Sequence, residues 1–77
     1  MQIKVVLFSV FRELLPAENH GRTTLELAEG STIEDALQQL EIKILALVSV
    51  NGQMEQDFTR VLVDGDEIQV FRPIGGG

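Results

Sequence analysis

Ser31-Thr32-Ile33-Glu34-Asp35-Ala36-Leu37-Gln38-Gln39-Leu40 is the stretch on which the fold turns. Ile33, Ala36, Leu37 and Leu40 recur at i, i+3, i+4 and i+7, which gathers the apolar side chains into one stripe of a helix. Ser31 and Glu34 form a capping-box pattern, in which the Ser31 hydroxyl accepts from the Glu34 amide and the Glu34 carboxylate reaches back. Glu34 and Asp35 also place negative charge at the positive end of the helix dipole. A lone amphipathic helix must bury its stripe against another layer, so the flanking segments have to supply a sheet.

They do so in both directions. Upstream, Ile3, Val5 and Leu7 alternate with Lys4, Val6 and Phe8, so both faces of a first strand are largely apolar, as suits a central strand. Phe11-Arg12-Glu13-Leu14-Leu15 offers one helical turn before Pro16, and residues 17–22 form a polar loop. Thr23-Thr24-Leu25-Glu26-Leu27 then returns as a second strand, with Leu25 and Leu27 on one face. Downstream, residues 45–50 read as a strand closed by Asn51-Gly52, the pair suited to the positive φ angles of a two-residue hairpin. Gln53 and Met54 pair back briefly, and Phe58 is expected to anchor the polar 55–60 loop by burial. Asp64-Gly65-Asp66 marks a solvated turn before a last strand, Glu67-Ile68-Gln69-Val70-Phe71, which runs into Arg72-Pro73-Ile74. The expected class is α+β: a mixed sheet of four to five strands with one main helix packed on one face.

Size and composition set the limits. The chain has 77 residues, no cysteine, and twelve acidic against six basic side chains, for a net charge of -6. Doubly wound and barrel enzymes need roughly 150 to 250 residues. Zinc ribbons, disulfides, cysteine nucleophiles and iron–sulfur ligation all need thiols. The acidic balance gives no basic stripe for nucleic acid and favours a partner with a basic face. No apolar run approaches the length of about 20 residues that spans a membrane, and the amino terminus reads as a strand and not as a signal segment, so a cytoplasmic protein is expected.

Gly75-Gly76-Gly77 follows the last strand without a polar spacer. Glycine accepts φ of either sign and fits channels too narrow for side chains. Pro73 stiffens the root of the segment by fixing φ. Residues 72–77 extend at most about 20 Å at roughly 3.3 to 3.6 Å per residue, enough to enter a neighbour's active site. The expected division is a domain over residues 1–72 and a flexible glycine tail over residues 73–77.

Taken in order, these pieces resemble the ubiquitin-like β-grasp sulfur carriers, the family that includes the small subunit of molybdopterin synthase and the thiazole-biosynthesis carrier. The resemblance rests on Val5-Val6-Leu7-Phe8, Phe11-Arg12-Glu13-Leu14-Leu15, Ser31-Thr32-Ile33-Glu34-Asp35-Ala36-Leu37, Val50-Asn51-Gly52, Asp64-Gly65-Asp66-Glu67-Ile68 and Pro73-Ile74-Gly75-Gly76-Gly77. It implies that an E1-like enzyme adenylates the Gly77 carboxylate with ATP and that a sulfur donor protein converts the acyl-adenylate to a thiocarboxylate. It also implies docking to the large subunit of molybdopterin synthase, or to a thiazole synthase, with no cofactor or metal bound by the carrier. Gly77 is the reacting residue, and Gly76, Gly75, Ile74, Pro73 and Phe71 are the expected partner contacts, joined by apolar side chains on the uncovered sheet face. Residues 11–22 and Pro73-Ile74 are similar to the molybdopterin branch. The short 40–48 span and the third glycine are similar to the thiazole carrier.

Two other functions share these features: a protein modifier joined through Gly77 to lysines, and an interaction module with an inert tail. His20, the single histidine, stands in a polar loop without ligand-spaced partners. Asp64, Asp66 and Glu67 lack the twelve-residue calcium loop with its distal glutamate. Ser9 and Ser31 have no histidine base arranged beside them.

Overall fold

The structure, a computed structural model, describes residues 1–73. Five strands form one sheet: β1 (Gln2–Leu7), β2 (Arg22–Glu26), β3 (Leu47–Val50), β4 (Gln53–Glu55) and β5 (Glu67–Phe71), with the helix α1 (Ile33–Gln39) between β2 and β3 in the chain. Their order in space is β2-β1-β5-β3-β4. β1 pairs antiparallel with β2 and parallel with β5, with Lys4 opposite Glu67 and Leu7 opposite Val70. β3 pairs antiparallel with both β5 and β4. The first strand is interior, as expected, and β5 is the middle strand.

Alternation along the strands sends Ile3, Val5, Leu7, Val48, Val50, Ile68 and Val70 to one face, all buried. Ile33, Ala36 and Leu37 of α1 belong to the same core cluster, together with Phe11, Leu25 and Leu62. A fully buried side chain such as Ile33 contributes about 1.5–3 kcal/mol relative to leaving it in water. Leu40 and Phe58 are partly buried against this core. One helix of seven residues covers one face only.

The helix starts one residue later than the sequence pattern suggests. Thr32, not Ser31, is the N-cap: its hydroxyl accepts from the Asp35 amide at 3.2 Å, while its own amide donates to Asp35 Oδ2 at 2.9 Å. Ser31-Thr32-Ile33-Glu34 and Thr32-Ile33-Glu34-Asp35 both fit the capping pattern, and tertiary pairing selects the second. The Ser31 carbonyl accepts from the Leu62 amide, and Thr32 bridges Val61 with extended backbone, so the helix begins only at Ile33. The next free amides, of Ile33 and Glu34, donate to the Arg60 and Phe58 carbonyls of the neighbouring loop. At the other end Glu41 adopts φ 61°. The Ile42 amide returns to the Leu37 carbonyl and the Glu41 amide to that of Gln38, a Schellman closure sealed by burial of Ile42 on Leu37.

Other sequence expectations are met or adjusted. The turn before Pro16 is a 3₁₀ helix over Ser9–Leu14, and a second short one covers Ala17–Asn19. β3 begins at Leu47, two residues after the expected start, leaving Leu45 77% exposed. Asn51 and Gly52 both have positive φ, as the hairpin requires. Asp66 is buried instead of solvated. It accepts from Asn51 Nδ2 and the Val63 amide, while Asn51 Oδ1 accepts from the Glu67 amide, so one carboxylate and one carboxamide fasten the start of β5 to the end of β3.

Gly21 provides a direct test of packing. Its φ is +76°, and a Cβ there would stand 2.6 Å from the Leu7 carbonyl oxygen, whereas Gly30, at φ +87°, has open space in the same direction. Both Gly→Ala changes carry the left-handed penalty of roughly 1–2 kcal/mol. Gly21→Ala must also push β1 and β2 apart, so urea unfolding is expected to show it at least about 1 kcal/mol less stable than Gly30→Ala. Equal midpoints for the two variants would show that the close approach carries no cost.

Candidate functional site

Phe71 closes β5, Arg72 is exposed and Pro73 is half-buried. Ile74, Gly75, Gly76 and Gly77, the remaining expected contacts and the expected reacting residue, lie outside the described residues. The last described residues leave from the middle strand, not from a sheet edge. β1 and β5 run parallel, so the end of β1 stands beside this exit, and the Phe8 amide extends the ladder by donating to the Val70 carbonyl at 3.0 Å.

The face opposite α1 decides what surrounds the exit. Strand register places Leu47 opposite Phe71, and Ser49 opposite both Gln69 and Met54, so Leu47, Met54 and Phe71 share this uncovered face. Phe8 follows in the same phase as Lys4 and Val6. The Phe8 and Phe71 rings stack with centroids 4.7 Å apart and planes 11° from parallel. With Ser9, Leu47, Met54 and Arg72 they line a groove of about 600 Å³. Leu47 is 43% exposed and Met54 59%, values that mark an unpartnered apolar surface and not a core. Phe71 stands outside the core cluster.

Phe71, expected from the sequence as a partner contact, lies on this surface, and Phe8, Leu47, Met54 and Arg72 join it only in the folded structure. Phe8 was legible as the apolar phase opposite the core. Leu47 and Met54 join the face only through register, which a three-residue β4 does not reveal. Next to the groove the face turns polar, where the buried Ser49 hydroxyl donates to Gln69 Oε1 at 2.9 Å.

Charge is divided unevenly. Lys4, Arg12, Arg22 and Arg72 lie on or border this face, against Glu26 and Glu67. Four cations and two acids give it +2; the other two cations and ten acids give the remainder of the chain -8. The net charge of -6 therefore does not describe this face.

Among the described residues no group of three His, Cys, Asp or Glu side chains stands close enough to hold a metal ion. The Asp57 carboxyl is held below the ordinary carboxylate range by hydrogen bonds from the Thr59 hydroxyl and then the Thr59 amide, which makes it a clamp within its loop. No helix among the described residues is long and apolar enough to cross a membrane. What the described part presents is a stacked aromatic pair and an apolar groove at the end of the central strand, on a face that also carries Lys4, Arg22 and Arg72.

The ThiS family model matches residues 5–77 of this sequence. The chain belongs to the ThiS family. A molybdopterin synthase sulfur carrier subunit from Chlamydomonas reinhardtii is 35% identical over 86 residues, covering 100% of both chains. In fold, the HVO 2177 protein of Haloferax volcanii superposes with a TM-score of 0.80 at 25% identity, covering 100% of this chain and 87% of that one. A chain from the complex of subunits 1 and 2 of the molybdopterin-converting factor of Helicobacter pylori superposes with a TM-score of 0.69 at 18% identity, covering 100% of each. The ubiquitin-like β-grasp architecture expected from the sequence is thus the architecture of this ThiS-family chain.

The stacked pair is open to measurement. A double-mutant cycle with Phe8→Ala and Phe71→Ala, read by denaturant unfolding, should give a coupling of about 0.5–1.5 kcal/mol favouring the pair. Strict additivity would show that the two rings are stabilised independently.

Proposed function

We propose that this chain is a sulfur carrier whose terminal carboxylate, on Gly77, is adenylated by an E1-like enzyme with ATP and converted to a thiocarboxylate, serving as the small subunit of a molybdopterin synthase. The observation that carries the reading is the position of the β5 exit: the strand leading to the glycines ends beside the uncovered apolar groove of Phe8, Leu47, Met54 and Phe71. Full-length similarity to the Chlamydomonas sulfur carrier subunit supports the molybdopterin branch, and the Helicobacter complex supports a two-subunit synthase.

The chemistry suits such a carrier. A carboxylate oxygen attacks the α-phosphorus of ATP and pyrophosphate leaves, which turns a poor acyl donor into a good one. A sulfur nucleophile from the donor protein then displaces AMP at an unhindered glycine carbonyl; where the donor presents a persulfide, a thiol cleaves the resulting acyl disulfide, leaving the thiocarboxylate on Gly77 and a disulfide on the donor. Catalytic acids, bases and metal come from the partners in this reading, and the carrier binds no cofactor itself. Ordering three glycines in a partner's channel costs roughly 1 to 2 kcal/mol per residue, so docking energy must come from the folded body. The groove supplies the apolar area for that docking, with Phe8 and Phe71 as the aromatic anchors typical of interface centres. The reading places this role in the cytoplasm, where ATP is available.

Two measurements test the proposal. Incubating the chain with its activating enzyme, ATP and a sulfur donor should shift its intact mass by the replacement of one oxygen by sulfur, and deleting Gly77 should abolish the shift. Adducts on lysines of other proteins, without that shift, would identify a modifier instead. For docking, Leu47→Lys and Met54→Lys alter exposed positions and should leave the fold intact while weakening the large-subunit complex at least about ten-fold, equivalent to 1.4 kcal/mol. Unchanged affinity in both variants would remove the groove from the interface.

A further inference from the structure

Beside the aromatic stack, on the β2 side, lies a smaller cavity lined by Phe8, Arg12, His20, Arg22 and Gln69 together with Val6 and Leu7. Its charged lining is two guanidinium groups and no carboxylate, with His20 and Gln69 beside them. Arg12 and Arg22 present guanidinium groups, which have no acceptor capacity. Gln69 Oε1 accepts from the Ser49 hydroxyl, and its amide nitrogen has no hydrogen-bond partner among the described residues and can donate. Among the described residues the ion pairs are Met1 with Glu26 and Arg60 with Glu55, so neither arginine of this cavity is neutralised there.

The backbone holds the two arginines together. The Gly21 carbonyl accepts from the Leu7 amide at 2.7 Å, which fixes the chain entering β2 against β1. A Cβ on Gly21 would stand 3.1 Å from Arg12 Cγ and 3.2 Å from its Nε, so the Arg12 stem lies across this glycine, beside Arg22. Placing two cations at one cavity is unfavourable in isolation, and the chain has twelve carboxylates, none of which forms an ion pair with them among the described residues. The arrangement is complementary to a carboxylate approaching from outside, since a guanidinium fork matches that group in a bidentate manner.

Resting on the docking role proposed above, we infer that this face receives a protein segment carrying an Asp or Glu seated between Arg12 and Arg22, next to an apolar side chain seated in the Phe8–Phe71 groove. The carboxylate sets register and encounter rate, and the apolar contact supplies most of the affinity. The occupant is an acidic and apolar surface of the activating enzyme, in spite of the acidic character of the chain as a whole.

The test is calorimetric titration of the chain against the activating enzyme of its own organism, at about 50 and about 300 mM salt, where screening differs strongly. Arg12→Glu and Arg22→Glu should each weaken binding about ten-fold or more and flatten the salt dependence, with Arg12→Gln and Arg22→Gln intermediate. Lys43→Glu makes the same change in net charge away from the cavity and should shift the affinity less than about two-fold. Amide spectra of each variant establish that the fold is kept, and the Gln variants carry the test where a Glu variant does not fold. Equal effects of Arg12→Glu and Lys43→Glu, or tighter binding on charge reversal, overturn the inference while leaving the carrier reading intact. Absence of binding by the unsubstituted chain sinks both. Arginine-dependent binding of a single-stranded RNA oligonucleotide, with enzyme binding untouched, would replace the carboxylate by a phosphate backbone and overturn it as well.

Discussion

The parallel pairing of β1 with β5 is the constraint from which the rest of this structure follows. It joins Lys4 to Glu67 and Leu7 to Val70, segments at opposite ends of the sequence, and so closes nearly the whole chain into one loop. Parallel neighbours share a direction, so both strands finish at the same end of the sheet. A connection between parallel strands has to cross over a face, and here the crossover carries the one helix. The helix therefore covers the Ile3, Val5, Ile68 and Val70 side, and the opposite side, where Phe8 and Phe71 meet, is left open. A single pairing thus determines which face is core, which is surface, and where the chain leaves the domain.

Much of this was legible because the decisive segments carry strong local signals. The α1 stripe has helical period, Asn51-Gly52 demands positive φ, and residues 67–71 alternate cleanly. Departures occur where tertiary contacts choose between equivalent local solutions. Ser31 and Thr32 both qualify as caps, and the strand-like pairing of 31–32 with 61–62 decides for Thr32. Glu41 ends the helix in a conformation usually given to glycine, because burial of Ile42 against Leu37 compensates. Asp66 looks like a solvated turn residue in the sequence, but its partner Asn51 is fifteen positions away and only the β3–β5 register brings them together.

The candidate site was less legible than the fold for a related reason. A residue's side of the sheet depends on strand phase, and a shift by one residue moves every side chain to the other face. Leu47 and Met54 are ordinary apolar residues in a list, and they become a groove with Phe8 and Phe71 only after register is known. The glycines at 75–77 were conspicuous for the opposite reason, since composition alone marks them.

Charge is where whole-chain arithmetic and local structure part most widely. A net charge of -6 describes solubility and long-range steering, for which every charge counts. Contact recognition is governed by charges within about a Debye length, roughly 8–10 Å at ordinary salt, so a face can act against the sign of its own protein. Here sheet register and the Gly21 crossing bring Arg12 and Arg22 to one cavity, whose lining includes no carboxylate. The segregation has a physical consequence for the proposed carrier role, in which one small domain meets more than one surface. An acidic exterior discourages nonspecific association with nucleic acid, while a basic and apolar face would, in that role, hold a docked partner in a preferred orientation on the side from which the central strand leaves.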